Sequence, residues 1–256
     1  MQKPEITELF RYYGNTIWTL EVILIGQIYI PHPSQFNDPF DGSIPFDSNY
    51  NPAEFREWAV KYGEREGHDA KTIEANLHRY FNGDGSLSDF AISKIDSASR
   101  ELDESNKKMR VLCLSEKCDS ILMWSHYANK HQGVCIGFAR EASSDLGDDA
   151  ACSPVVCDDT YPKPRFLEIF SDDGRLTHNL FYRKAKGWDY EKEWRLLYEG
   201  SDPKTALPSK ISRVILGCRC DDTTKALVQA ACVAKSIPLF AATQTPGQFS
   251  LKINHV

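Results

Sequence analysis

The sequence predicts an α+β fold, with a mixed, mostly antiparallel sheet and a helical insertion over residues 51–108, all within a single domain spanning 1–256. Three observations lead there. Short apolar runs of strand length are dispersed along the chain without the regular strand–helix alternation of a doubly wound sheet. One segment switches to helical periodicity. Neither a G-x-G-x-x-G fingerprint nor a P-loop occurs, which argues against Rossmann and Walker-type nucleotide binding. At 256 residues and 41% apolar content, the chain can fill one large core.

The elements follow in order. Residues 9–13 form a short aromatic strand, after which Ile17, Leu20, Ile23 and Leu24 recur at helical spacing until Gly26 offers a stop. Residues 27–30 are β-like and are closed by Pro31 and Pro33. The loop SQFNDPFDG comes next, where Asn, Asp, Pro and Gly disfavour regular structure. Within 51–108, Phe55, Trp58 and Tyr62 keep one helical face, and Ala91, Ile95, Ala98 and Leu102 another, with a break near NGDGSLS. Strand-like runs then return at 111–115, 134–138, 194–198, 214–217, 239–243 and 249–253, with a helix expected over 223–235. The acidic, Gly/Pro-punctuated segment 141–173 reads as a surface excursion.

Composition narrows the function classes. The net charge is −6 and basic residues are scattered, so the whole protein has no electrostatic footprint for nucleic acid, although a local groove can still be positive. The N-terminal residues lack the apolar core of a signal peptide, and the longest apolar runs are far too short for a bilayer, so no membrane association and a cytoplasmic location are expected. The eight cysteines sit mostly in strand-like or helix-like apolar runs, which suits reduced, buried thiols better than a disulfide framework. No C-x-x-C occurs, and Cys218-x-Cys220 lacks a partner pair at zinc spacing, so no metal is assigned.

Four stretches carry residues with chemical potential, and each has a plain structural alternative. Ser115 sits at the exit of a strand, followed by a short helix capped by Asp119 or Ser120 and running to about Asn129. On that helix Met123, His126 and Tyr127 share a face and Trp124 adjoins it, either as a stacking and hydrogen-bonding wall or as core anchors. In WDYEKEWRLL, Glu193 and Arg195 point the same way from a strand, as an ordinary salt bridge or as a held carboxylate that steers a ribose hydroxyl or stabilises cationic charge. In FNDPFDG, Asn37, Asp38 and Asp41 are turn-formers or ligand contacts. On the first strand, Arg11 and Tyr12 are edge-strand packing or contacts to a phosphate or a ring.

The order LFRYYG, IYIPHPSQFNDPFDG, VLCLSE, LMWSHYANKHQGVCIGF, RKAKGWDYEKEWRLL and RVILGCRC resembles the bacterial family catalogued as domain of unknown function 2971. The resemblance runs from about Leu9 to Ile253 and is thin across the helical insertion. More distantly, the arrangement looks like ADP-ribosyltransferase-type folds, including their DNA-modifying toxin branch. That resemblance implies an NAD-dependent ADP-ribosyltransferase-like or NAD-hydrolysing enzyme, in a toxin or phage-defence role, with NAD as substrate and a nucleic-acid or protein acceptor. It makes Arg11 or Tyr12 the first-motif position, Ser115 the second and Glu193 the third, with Glu193, Ser115 and His126 as the catalytic set. Arg11, Tyr12, Asn37, Asp38, Trp124, Tyr127 and Arg195 would hold the nucleotide. Two other readings stay open: a metal-dependent nuclease or phosphodiesterase using Asp38, Asp41, His126 and Glu193, and a noncatalytic nucleotide-binding sensor. The sequence leaves the oligomeric state open.

Overall fold

The computed structural model describes residues 2–14, 16–42, 51–163 and 175–256. The chain divides into two compact units. The first comprises Met1–Asn37, Met109–Thr160 and Tyr182–Val256, and the second Asp38–Lys108 and Tyr161–Phe181.

The first unit is built on an eight-stranded sheet of β1 (Glu8–Tyr13), β3 (Met109–Ser115), β4 (Val134–Ala139), β5 (Cys152–Pro154), β8 (Glu193–Glu199), β10 (Ile211–Leu216), β11 (Leu239–Gln244) and β12 (Leu251–His255). Their order across the sheet is β12-β11-β10-β4-β1-β3-β8-β5. Every neighbouring pair is antiparallel except β10 and β11. Those two are joined by helix α7 (Asp222–Lys235), as a parallel pair requires a crossover. This is the mixed, mostly antiparallel α+β sheet expected from the dispersed apolar runs. Two smaller pairs accompany it: β2 (Gln27–Tyr29) with β9 (Lys204–Ala206), and β6 (Val156–Asp158) with β7 (Arg183–Ala185).

Strand β1 lies inside the sheet, with all six residues paired to β4 and Phe10 opposite Ser115 of β3. Its alternation sorts the core onto two faces. Leu9 and Tyr13 join Leu112, Leu114, Ile136, Phe138, Trp194 and Leu196, with Val228, Ala231 and Cys232 of α7, in the larger cluster. Phe10 and Tyr12 join Met123, Trp124, Ala128, Cys135 and Ile215 in the other. Glu193 pairs with Ser115 and Arg195 with Cys113, which puts these four on the Phe10 and Tyr12 face.

Some local expectations are refined. The helical run after β1 is an α-helix, α1 (Thr16–Leu20), that widens into a π-turn over Glu21–Ile25 and stops at Gly26 with φ of 74°. Only glycine adopts that left-handed conformation without a Cβ penalty, which makes it an efficient stop. The segment 141–163 is more ordered than a surface excursion, because β5 pairs with β8 at the sheet edge and β6 pairs with β7. The remainder of that expectation, 164–173, lies outside the described residues. Strand β12 begins at Leu251 and leaves Phe249 fully exposed.

In the second unit, residues 51–108 form α2 (Pro52–Arg65), α3 (Ala70–Tyr80) and α4 (Asp89–Asn106). Asn51 and Asp69 cap α2 and α3 by accepting from backbone amides. Phe55 and Ile95 form a small core with Trp58, Tyr80, Phe81 and Leu87 packed on it. A further helix, α6 (Arg175–Phe181), completes the described part of this unit.

Candidate functional site

The chain converges chemically at the entrance to β8. A 3-10 helix, Lys186–Glu191, leads into the strand through Lys192, whose φ of 45° is left-handed. That turn brings Glu191 and Glu193 onto a common cation: Lys184 Nζ lies 2.5 Å from Glu191 Oε2 and 2.9 Å from Glu193 Oε2. Arg195 grips Glu193 with both arms of its guanidinium, Nε to Oε1 at 2.7 Å and Nη2 to Oε2 at 3.1 Å. Such a bidentate fork is stronger and more directional than a single ion pair. Glu191, Glu193 and Arg195 are all buried, and the Lys184 side chain is only 5% exposed.

The two carboxyls experience opposite balances. Burial pushes Glu193 up, but the charges of Arg195 and Lys184, with hydrogen bonds from Arg195 and Cys113, outweigh it and hold the group well below the ordinary carboxylate range. Burial also pushes Glu191 up; Lys184 pulls it back, the Glu193 charge pushes it up again, and the net displacement is upward. Adjacent carboxyls driven in opposite directions are how a protein separates an ionised group from a proton-holding one.

Tyr127 closes this site from helix α5 (Ile121–Tyr127), which is capped by Ser120. Its hydroxyl donates to Glu191 Oε1 at 2.5 Å and receives the Asn37 side-chain amide at 3.3 Å. Burial and the Glu191 contact both raise the phenol above its usual value. Outside lies an aromatic rim. The His126 and Tyr190 rings are 6.3 Å apart, Trp188 and Tyr190 are 6.0 Å apart, and Lys184 Nζ sits 4.9 Å over the Trp188 ring. His126 is exposed and Tyr190 and Trp188 are half-buried, so this rim presents π-faces to a ligand.

Each residue singled out in the sequence has a definite place. Ser115 is fully buried; its hydroxyl donates to the Glu191 carbonyl at 2.5 Å and accepts the Lys117 amide at 3.0 Å, so it braces the Glu191 backbone. Tyr12 donates to the Lys117 carbonyl at 2.7 Å and meets Trp124 edge-on at 5.2 Å. Trp124 is wholly buried, with its indole N–H on the Cys118 carbonyl at 2.9 Å, so it anchors α5 and offers no stacking face to solvent. Arg11 alternates with Tyr12 along β1 and points to the opposite side of the sheet, with its guanidinium 5.6 Å from the Tyr13 ring. Asp38 belongs to the second unit, where its carboxylate accepts the Phe40 amide at 2.9 Å as a turn-former does, and Asp41 donates its amide to the Asp38 carbonyl. The structure thus gathers Ser115, Tyr127, Glu193, Arg195, Asn37 and, at the rim, His126.

Sequence reasoning missed Lys184 and Glu191. The signal for Glu191 was present: it lies two residues before Glu193 in the block that drew attention, and a strand extended by one turn would have placed the two together. Lys184 had no comparable signal, because β7 is three residues long and its partnership is tertiary.

Fold and site together define an α+β protein with a buried carboxylate pair at a strand entrance, clamped by two cations and a phenol. Residues 123–196, which span Tyr127, Lys184, Glu191, Glu193 and Arg195, match the family described as Protein of unknown function (DUF2971). No curated protein and no solved structure matches the chain. Among the described residues, no group of three His, Cys, Asp or Glu side chains is placed to hold a metal ion, and no helix is long and apolar enough to cross a membrane.

Proposed function

We propose that this protein breaks the ribosyl–nicotinamide bond of NAD, as an ADP-ribosyltransferase-like or NAD-hydrolysing enzyme. The observation that supports this reading is the pair of buried carboxyls on Lys184 with their ionisation driven apart. Glycosidic cleavage passes through an oxocarbenium-like state, and a desolvated carboxylate beside it stabilises the developing positive charge. Glu193, kept ionised by Arg195, is the electrostatic group. Glu191, with its raised affinity for a proton and its contact to the Tyr127 hydroxyl, is the acid/base group. Tyr190 and Trp188 supply the stacking surface for a nicotinamide or adenine ring, and Asn37 fixes Tyr127. The acceptor is water, a nucleic acid or a protein, and a toxin or defence role follows if it is a macromolecule.

Incubation with NAD labelled in the adenylate portion, with and without DNA, RNA or cell protein, tests the reading. Nicotinamide release that drops by on the order of a hundredfold or more in Glu193→Gln and Glu191→Gln is expected. Absence of both nicotinamide release and a labelled acceptor with the unaltered protein would overturn it.

One observation favours a second reading, a noncatalytic nucleotide-binding module: both carboxyls are already engaged by Lys184, Arg195 and Tyr127. In that case nucleotide binding survives Glu193→Gln and no turnover accompanies it.

A further inference from the structure

Asn129, Lys130 and His131 follow one another with φ of 46°, 55° and 70°. Residues with a Cβ visit the left-handed region rarely and usually singly, so three in succession are held there by their surroundings. The holding contacts are specific. The His131 amide donates to the Trp124 carbonyl at 3.1 Å, and the His131 carbonyl accepts the Arg219 amide at 3.0 Å. Gly217 approaches so closely that a Cβ placed there would lie 2.2 Å from that same carbonyl oxygen. The imidazole lies nearly parallel to the Trp124 ring, with centroids 6.5 Å apart. Held in this way, its two nitrogens face two different side chains: Nε2 is 2.9 Å from Ser125 Oγ, and Nδ1 is 3.7 Å from Cys218 Sγ.

We propose that Cys218 is a reactive thiol, with His131 as its base and Ser125 as the residue that orients the base, and that it exchanges with small disulfides of the glutathione class. The geometry is that of an activated nucleophile: thiol, imidazole and a third group that fixes the imidazole's tautomer. A neutral imidazole carries one proton. With that proton on Nε2 and donated to Ser125, Nδ1 presents its lone pair to the thiol. Access sets Cys218 apart from Cys135, Cys152, Cys220 and Cys232, which are buried. Cys113, Cys118 and Cys157 are half-buried like Cys218, but burial pushes each of their thiols up.

The step balances without any further reagent. His131 Nδ1 accepts the Cys218 proton, and the thiolate attacks one sulfur of the disulfide. The Cys218–sulfur bond forms as the disulfide bond breaks, and the departing thiolate takes the proton from His131. One disulfide is replaced by a mixed disulfide and one free thiol, with no net oxidation.

Native protein treated with limiting iodoacetamide, followed by peptide mass analysis, tests reactivity at each cysteine. Cys218 should alkylate on the order of ten times faster than Cys113, Cys118 and Cys157, and oxidised glutathione should place one glutathionyl group there. His131→Asn keeps a residue type that tolerates the left-handed backbone and should remove most of that advantage. Ser125→Ala, which leaves the strained turn untouched, should reduce it severalfold and provides the readout if the Asn variant does not fold. A Cys218 rate no faster than that of the other half-buried thiols would overturn the proposal, as would a rate unchanged in both variants.

Discussion

At the residue scale, the Glu193–Arg195 pair shows how a buried charge is made tolerable. Removing a carboxylate from water costs several kcal/mol, and this is offset only when its lone pairs are met by well-placed donors. Arg195 supplies two such donors and Lys184 a third. Arg195→Ala should therefore destabilise the protein by about 3–5 kcal/mol, because Glu193 stays buried with both Arg195 donors gone. Replacing Glu193 and Arg195 together with apolar residues of similar volume should cost far less. Urea unfolding of the single and double variants measures both, and equal losses would show that packing, including the stacking of Arg195 on Phe36 at 5.4 Å, governs the effect. That these two residues share a face was legible from their i, i+2 spacing on a strand. Lys184 was not, because it reaches them from another strand, and Glu191 carried no more than its spacing of two from Glu193, because the turn at Lys192 is a conformation that the local sequence does not favour.

At the element scale, the sequence's apolar alternation carried most of the information. It located β1, β3, β4, β8, β10 and β11 because β1, β4, β10 and β11 bury alternate residues on two distinct clusters, while β3 and β8 send alternate residues into the larger one. It missed β5, β6, β7 and β9, which are three residues long and exist through pairing with a partner rather than through any periodicity of their own. Likewise, α5 is seven residues long and is too short to be stable alone; the Ser120 cap and the burial of Met123 and Trp124 hold it in place. The join between the 3-10 helix and β8 offers a direct test. Lys192 occupies a left-handed conformation, and its contact with Asp189 is an exposed ion pair of little weight. Lys192→Gly should therefore raise stability by about 0.5–1 kcal/mol by removing the Cβ penalty. Thermal melts decide it, and a loss would mean that the lysine side chain holds the turn.

At the scale of the whole molecule, the opposed carboxyls give stability a characteristic dependence on pH. Glu193 is depressed in the folded state, so its contribution is fully present above the unfolded carboxylate value of about 4.3 and is lost as pH falls through the lower folded value. Glu191 is raised, so the folded state binds its proton more tightly than the unfolded chain does. Stability therefore declines as pH climbs from about 4.3 through the raised value. Melting temperatures followed across acid and neutral pH should show a rise and then a shallow fall. Glu193→Gln should flatten the first limb and Glu191→Gln the second, and a profile unaltered by either would contradict the assigned directions.

The central position of β1 also has a kinetic side. Its partners in β3 and β4 lie more than a hundred residues downstream, so no local zipping can secure it. During synthesis the opening hydrophobic segment must wait, exposed, until the ribosome has delivered both neighbours, and the loop closed at that moment is long. Refolding from denaturant should accordingly fall in the slow, millisecond-to-second regime of topologies rich in distant pairings, and stopped-flow fluorescence of the buried Trp124 and Trp194 would time it.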